Sequence, residues 1–69
     1  MSIIVNGAER ELPAVATVAA LVGELRGGEA DTRGVAVAVE GEVVPRGQWD
    51  SATLKDGDRV EVLMAVQGG

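Results

Sequence analysis

Valine is the commonest residue of this 69-residue chain, twelve in all, and its placement constrains the fold more than any other feature. In Val35-Ala36-Val37-Ala38-Val39 large and small apolar side chains alternate, and Val60, Val62, Met64 and Val66 alternate with Arg59, Glu61, Leu63 and Ala65. Period two is the pattern of a strand with one buried face, and the branched Cβ of valine packs well on a pleated surface. Ten alanines, five leucines and two isoleucines supply most of the other apolar residues, with Trp49 the single aromatic. Several strands around a small core are expected, and a mostly helical chain is disfavoured.

Local chemistry divides the rest. Ile3-Ile4-Val5 runs into Asn6-Gly7, a pair suited to a two-residue hairpin whose turn positions both need positive φ. Glu9-Arg10-Glu11-Leu12 reads as a polar return strand at an edge, ended by Pro13, which has no N–H to donate. Thr17 is a candidate N-cap before Val18, Leu21, Val22 and Leu25, spaced as one helix face. Ala20 stands where a capping box needs Glu or Gln, and Gly27-Gly28 supplies the stop. The polar stretch 27–34 reads as a loop, and lacks the Gly-Lys-Ser/Thr that a phosphate cradle needs. Gly41-Glu42 is expected to turn the chain into Val43-Val44, with Arg46 to Leu54 irregular and Lys55-Asp56-Gly57-Asp58 a turn. Five strands and one helix predict a two-layer α+β domain.

Composition excludes much chemistry. Without cysteine or histidine there is no disulfide, no ordinary zinc site and no Cys–His or Ser–His nucleophile. A net charge of −5 repels phosphate backbones, so neither nucleic acid nor an anionic membrane is an expected partner. A basic surface on another protein suits it better. No apolar run approaches the ~20 residues needed to span a bilayer, and the start lacks a signal-type pattern, so a cytoplasmic protein is expected. Asp56 and Asp58 flank a glycine as turn residues do, and two carboxylates alone make a poor divalent-ion site.

The chain closes on Gln67-Gly68-Gly69. Residues 1–66 are read as the folded domain and 67–69 as a flexible tail, reaching ~10 Å if extended. Glycine adds nothing to a core, but at a terminus it leaves the carboxylate unshielded by any Cβ. A carboxylate is an unreactive acyl group until adenylation makes it a mixed anhydride open to a sulfur or amine nucleophile. Gly69 would then be the group worked on, by catalytic residues belonging to a partner. The same pair equally suits an idle frayed end.

From Val35 to Gly69 the sequence resembles the ThiS family of thiamin-biosynthesis sulfur carriers: a VAV strand, VVPR-x-x-W at Val43 to Trp49, then L-x-x-GD-x-VE and Gly-Gly. Asn6-Gly7 and the Thr17-Val18…Leu21 helix start fit as well, while Glu40 and Gln67 stand where the family often has Asn and Gly. The resemblance implies a ubiquitin-like β-grasp, with a mixed five-stranded sheet packed on one helix. It implies a carrier rather than an enzyme, binding no cofactor itself. A ubiquitin-activating-type (ThiF-type) adenylyltransferase would use ATP and Mg²⁺ to adenylate Gly69, with Gly68 entering the partner's active site. Sulfur from a cysteine desulfurase or sulfurtransferase would give the thiocarboxylate, and thiazole synthase would accept it. Rival readings are the small subunit of molybdopterin synthase and a ubiquitin-like modifier of lysines.

Two further sites are expected. With the valines turned to the helix, Ile4, Leu63 and Ala65 point away and form a docking patch for the activating enzyme or the synthase. Arg46 either pairs with an acidic patch on a partner or is an ordinary solvated cation. Trp49 is expected to cover an edge of the core.

Overall fold

The computed structural model describes residues 1–27 and 34–64. Strand β1 (Ser2–Val5) and strand β2 (Ala8–Glu11) form an antiparallel hairpin with Val5 opposite Ala8. Its turn is Asn6-Gly7, at φ 50° and 84°, the left-handed pair that the dipeptide predicts. The return strand begins one residue earlier than expected, and Leu12 prolongs the ladder by donating its N–H to Met1 O at 2.8 Å.

Helix α1 (Val18–Leu25) starts where Thr17 caps it, the hydroxyl accepting the Ala20 N–H at 3.1 Å. It ends at Gly27, whose φ of 67° takes the chain out of the helix. Strands β3 (Val35–Val39) and β4 (Glu42–Val44) make a second hairpin. Its turn is Glu40-Gly41, at φ 50° and 84°, and not Gly41-Glu42 as the sequence suggested. Glu40 is not a residue that favours left-handed backbone, so nothing local marks it as the first turn position. Strand β5 (Arg59–Met64) is the last described element; Val66, expected on the same strand, lies outside the described residues.

The sheet order is β2-β1-β5-β3-β4, with β5 central, parallel to β1 and antiparallel to β3. This is a mixed five-stranded sheet with one helix on one face, the β-grasp arrangement. Ile3, Val5, Val35, Val37, Val60 and Val62 turn inward with Val18, Leu21 and Val22 of α1 in one buried cluster. Burying each such side chain stabilises the domain by about 1.5–3 kcal/mol. Met64 shares their face but is 38% exposed, at the margin of the core.

The segment expected to be irregular has a defined role. After a 3-10 turn at Arg46–Gln48, it lies against the start of α1. Ala52 O accepts from Val18 N at 2.9 Å, Trp49 O from Ala19 N at 3.1 Å, and Leu54 N donates to Ala16 O at 2.9 Å. The first two satisfy N–H groups that a helix start otherwise leaves without partners, and the third ties the segment to the residue before the cap.

Candidate functional site

Two regions carry the features that the sequence singled out: the end of β5, which leads to the terminus, and the sheet face turned away from the helix. Gly68, Gly69 and Ala65 lie outside the described residues. The strand that leads to them is held from both sides. Glu40 N donates to Arg59 O at 2.8 Å, and the Glu40 carboxylate accepts the Arg59 N–H at 2.6 Å. On the other side Ile4 N donates to Asp58 O and Asn6 N to Val60 O, both at 2.9 Å. The Asn6 carboxamide adds two bonds, Oδ1 accepting from Val62 N at 2.9 Å and Nδ2 donating to Val62 O at 3.0 Å. Sequence reasoning saw Asn6 only as a turn residue, because its bonds to Val62 depend on which strand lies beside it.

On the outer face Leu63 is 71% exposed, and the pairing places it beside Ala36. In the next outward row Glu61 lies opposite Ala38, and Ala38 opposite Val43, which is 75% exposed. Ala36, Ala38, Val43 and Leu63 thus form an apolar island on neighbouring strands. Ile4 is not part of it. It is half-buried and pairs with Arg59, four residues before Leu63 on β5, about 13 Å along the strand with Glu61 between. Val43 was missed as a patch residue: in Val43-Val44 one side chain must face out, but only the register of β4 on β3 decides which. Glu9 and Glu11 of β2, both exposed, point to the same outer face as Ile4. The outer face is therefore acidic along one edge and apolar towards the other.

Arg46 and Trp49 act together. The Trp49 ring is 5% exposed and its Nε1 donates to Val44 O at 2.9 Å, so it caps edge strand β4 and closes the core there. The Arg46 guanidinium sits 5.6 Å from the ring centroid, a cation–π placement. This arrangement gives Arg46 a structural position whether or not a partner also uses it. Asp56 and Asp58 behave as turn residues: Asp56 accepts from Ser2 N at 2.7 Å and Asp58 from Lys55 N at 2.8 Å. Among the described residues no three His, Cys, Asp or Glu side chains group to hold a metal ion. No helix among them is long and apolar enough to cross a membrane. Among the described residues the two regions thus offer an exposed apolar island and a strand end tethered by Asn6.

Known proteins share this organisation. The chain matches the ThiS family over residues 3–69. It is 32% identical to the sulfur carrier protein ThiS of Escherichia coli, covering 100% of both chains. It is 39% identical to a thiazole synthase of Paramagnetospirillum magneticum across its whole length, which spans only 20% of that longer protein. The crystal structure of the thiamine biosynthesis protein ThiS from Geobacter metallireducens superposes with a TM-score of 0.79 at 35% identity, covering 100% of both chains. A solution structure of a thiamine biosynthesis protein from the same organism gives the same TM-score and identity, over 88% of that chain.

Proposed function

The chain belongs to the ThiS family, and on that premise we propose that its Gly69 carboxylate is the group that partner enzymes activate and load with sulfur. It is a sulfur carrier of thiamin biosynthesis. The observation that carries the proposal is the extent of the family match, which runs to residue 69 and so includes Gly68-Gly69.

The chemistry follows from the groups available. A carboxylate oxygen of Gly69 attacks the α-phosphorus of ATP on a ThiF-type adenylyltransferase, Mg²⁺ balancing the phosphate charge, and pyrophosphate leaves. The acyl adenylate is a mixed anhydride, and a persulfide supplied through a cysteine desulfurase or sulfurtransferase attacks its carbonyl carbon and displaces AMP, forming an acyl disulfide. A thiol then attacks the donor's sulfur of that disulfide, leaving a thiocarboxylate on Gly69 and the thiol and donor joined as a disulfide. Gly68, with no side chain, lets that end enter a channel too narrow for a Cβ. Because the first step consumes ATP, the cytoplasm is its natural compartment.

A thiazole synthase is the proposed acceptor. In the Paramagnetospirillum magneticum protein of that name, a stretch resembling this whole chain makes up 20% of the polypeptide, which supports a working association between the two. For docking we assign the island of Leu63, Ala36, Ala38 and Val43, facing an apolar surface with a basic rim opposite Glu61, Glu9 and Glu11. Ile4, apart from the island on the same face, and Arg46, stacked on Trp49, are assigned as secondary contacts, together with Ala65. Molybdopterin synthase and lysine-modifier readings rank below the thiazole one, since relatives at both levels of comparison are named for thiamine biosynthesis or as ThiS.

Intact-mass analysis tests the reading. The chain is incubated with ATP, Mg²⁺, the adenylyltransferase and a sulfur source. A mass gain equal to sulfur minus oxygen, located on the C-terminal peptide, is expected. An unchanged mass beside a partner that loads another carrier, or a modification placed elsewhere than Gly69, would sink it.

A further inference from the structure

We propose that the Asn6 side chain is a positioning residue for the carrier's reactive end: it pins β5 at Val62 and so restrains the part of the strand that leads, through Leu63 and Met64, towards the terminus. The inference rests on the carrier reading. Backbone pairing between β1 and β5 is short, with Ile4 opposite Arg59 and Val5 opposite Val60. Beyond that point β1 turns away through Asn6-Gly7, and the rim of β5 facing it would lie open from Val62 onward. The Asn6 carboxamide fills the vacated position. One amide oxygen and one amide nitrogen reproduce the acceptor and donor of a peptide group, and both engage Val62, at 2.9 and 3.0 Å.

The residue type is informative. Glycine meets a φ of 50° with less strain than any other residue, so the turn alone needs no side chain here. Asparagine tolerates the same backbone and in addition reaches the neighbouring strand. Val62 is the furthest residue along β5 that the described structure ties to both neighbours, through Asn6 on one side and through its place opposite Val37 on the other. From Val62 the chain continues through Leu63 and Met64 towards Gly69. If β5 frayed back by two residues, the last point held by the sheet would move by about 7 Å. The terminal carbonyl would then search a larger volume before reaching the attacking atom, and a reaction governed by orientation slows accordingly.

Asn6→Gly tests this while sparing the turn. In the free protein, hydrogen exchange at the Val62 amide should rise about tenfold or more, with Glu61 and Leu63, whose amides face β3, changing far less. In the loading reaction, the maximal rate of thiocarboxylate formation should fall about tenfold while KM stays within about twofold. Thr17→Ala, which loses the helix cap but no bond to β5, is the control for destabilisation alone and should leave the maximal rate unchanged. Equal losses in both variants, or a wild-type maximal rate in Asn6→Gly, overturn the proposal. Should Asn6→Gly not fold, exchange in the wild-type chain decides: Val62 must be protected comparably to Val60, and an amide that exchanges freely overturns the clamp. If the wild-type chain takes up no sulfur, the carrier reading fails, and the exchange contrast still judges the clamp.

Discussion

The two hairpins have the same turn geometry and differ in what they do with it. Asn6-Gly7 and Glu40-Gly41 take matching backbone angles, φ 50° then 84°, and each reaches central strand β5 from its own side. Asn6 offers a donor and an acceptor and engages both peptide groups of Val62; the Glu40 carboxylate only accepts, from Arg59 N. Asn6 holds the part of β5 that leads to the terminus, whereas Glu40 holds its beginning. The outer faces differ too: the first hairpin presents Glu9 and Glu11, the second Ala36, Ala38 and Val43. Turn shape is thus a generic solution, and side-chain chemistry distinguishes the first hairpin, which anchors β5 through Asn6, from the second, which carries the apolar island proposed for docking.

The largest effect is expected from breaking the anchor. Asn6→Ala removes both bonds to Val62 and leaves a β-carbon residue in left-handed backbone, for a loss of about 3 kcal/mol in urea denaturation. That is a large share of a stability on the order of 3–10 kcal/mol for a chain of this size. Asn6→Gly should lose about 1 kcal/mol less, since it keeps the turn and loses only the bonds. Equal losses in the two variants would show that no strain enters at this position.

Docking is the next contrast. Leu63→Asp and Val43→Asp each put a carboxylate in the apolar island, and each should weaken binding to the adenylyltransferase or the synthase about tenfold or more. Both positions are exposed, so the unfolding free energy should stay within about 0.5 kcal/mol of the parent. Glu11→Gln, on the acidic edge, should change affinity by a small factor that vanishes as salt is raised. An affinity unchanged by either island variant would remove the outer face from the docking surface.

These differences show what a sequence discloses and what it does not. Asn6-Gly7, Thr17 and Gly27 were legible because each satisfies a local demand: a positive φ or a helix N–H awaiting an acceptor. Strands β3 and β5 were legible from period two, and the exposure of Leu63 follows from the same parity. Grouping Ile4 with Leu63 failed because the parallel register sets Ile4 against Arg59, a tertiary fact with no local sign. Residues 46–54 looked shapeless for a related reason: their form comes from bonds to the start of α1, such as Val18 N to Ala52 O. The Glu40 turn was misplaced by one residue because its backbone is imposed by β3, β4 and β5 together.

Glu40→Asn sharpens the hairpin comparison by giving both turns the same first residue. At φ 50° asparagine is better tolerated than glutamate, and relief of that strain should stabilise the domain by about 0.5–1 kcal/mol. The shorter side chain must still meet the Arg59 N–H, now held by the Glu40 carboxylate at 2.6 Å. A gain in the unfolding midpoint says that backbone strain outweighs the charge-assisted bond; a loss reverses that order and makes the carboxylate the reason for glutamate here.

The smallest effect is expected where the first hairpin meets the helix. Arg10 of β2 bonds Glu24 of α1 at 2.9 Å, with side chains 35% and 49% exposed. Exposed pairs of this kind contribute about 0.2–1 kcal/mol, and salt screens them. Glu24→Gln keeps an oxygen that can accept from Arg10 and removes only the charge, so the loss should sit at the low end and disappear in high salt. A loss comparable with that of Asn6→Gly would mean that the hairpin is fixed from the helix side as firmly as through β5. The tether on Val62 would then no longer be what distinguishes the first hairpin from the second.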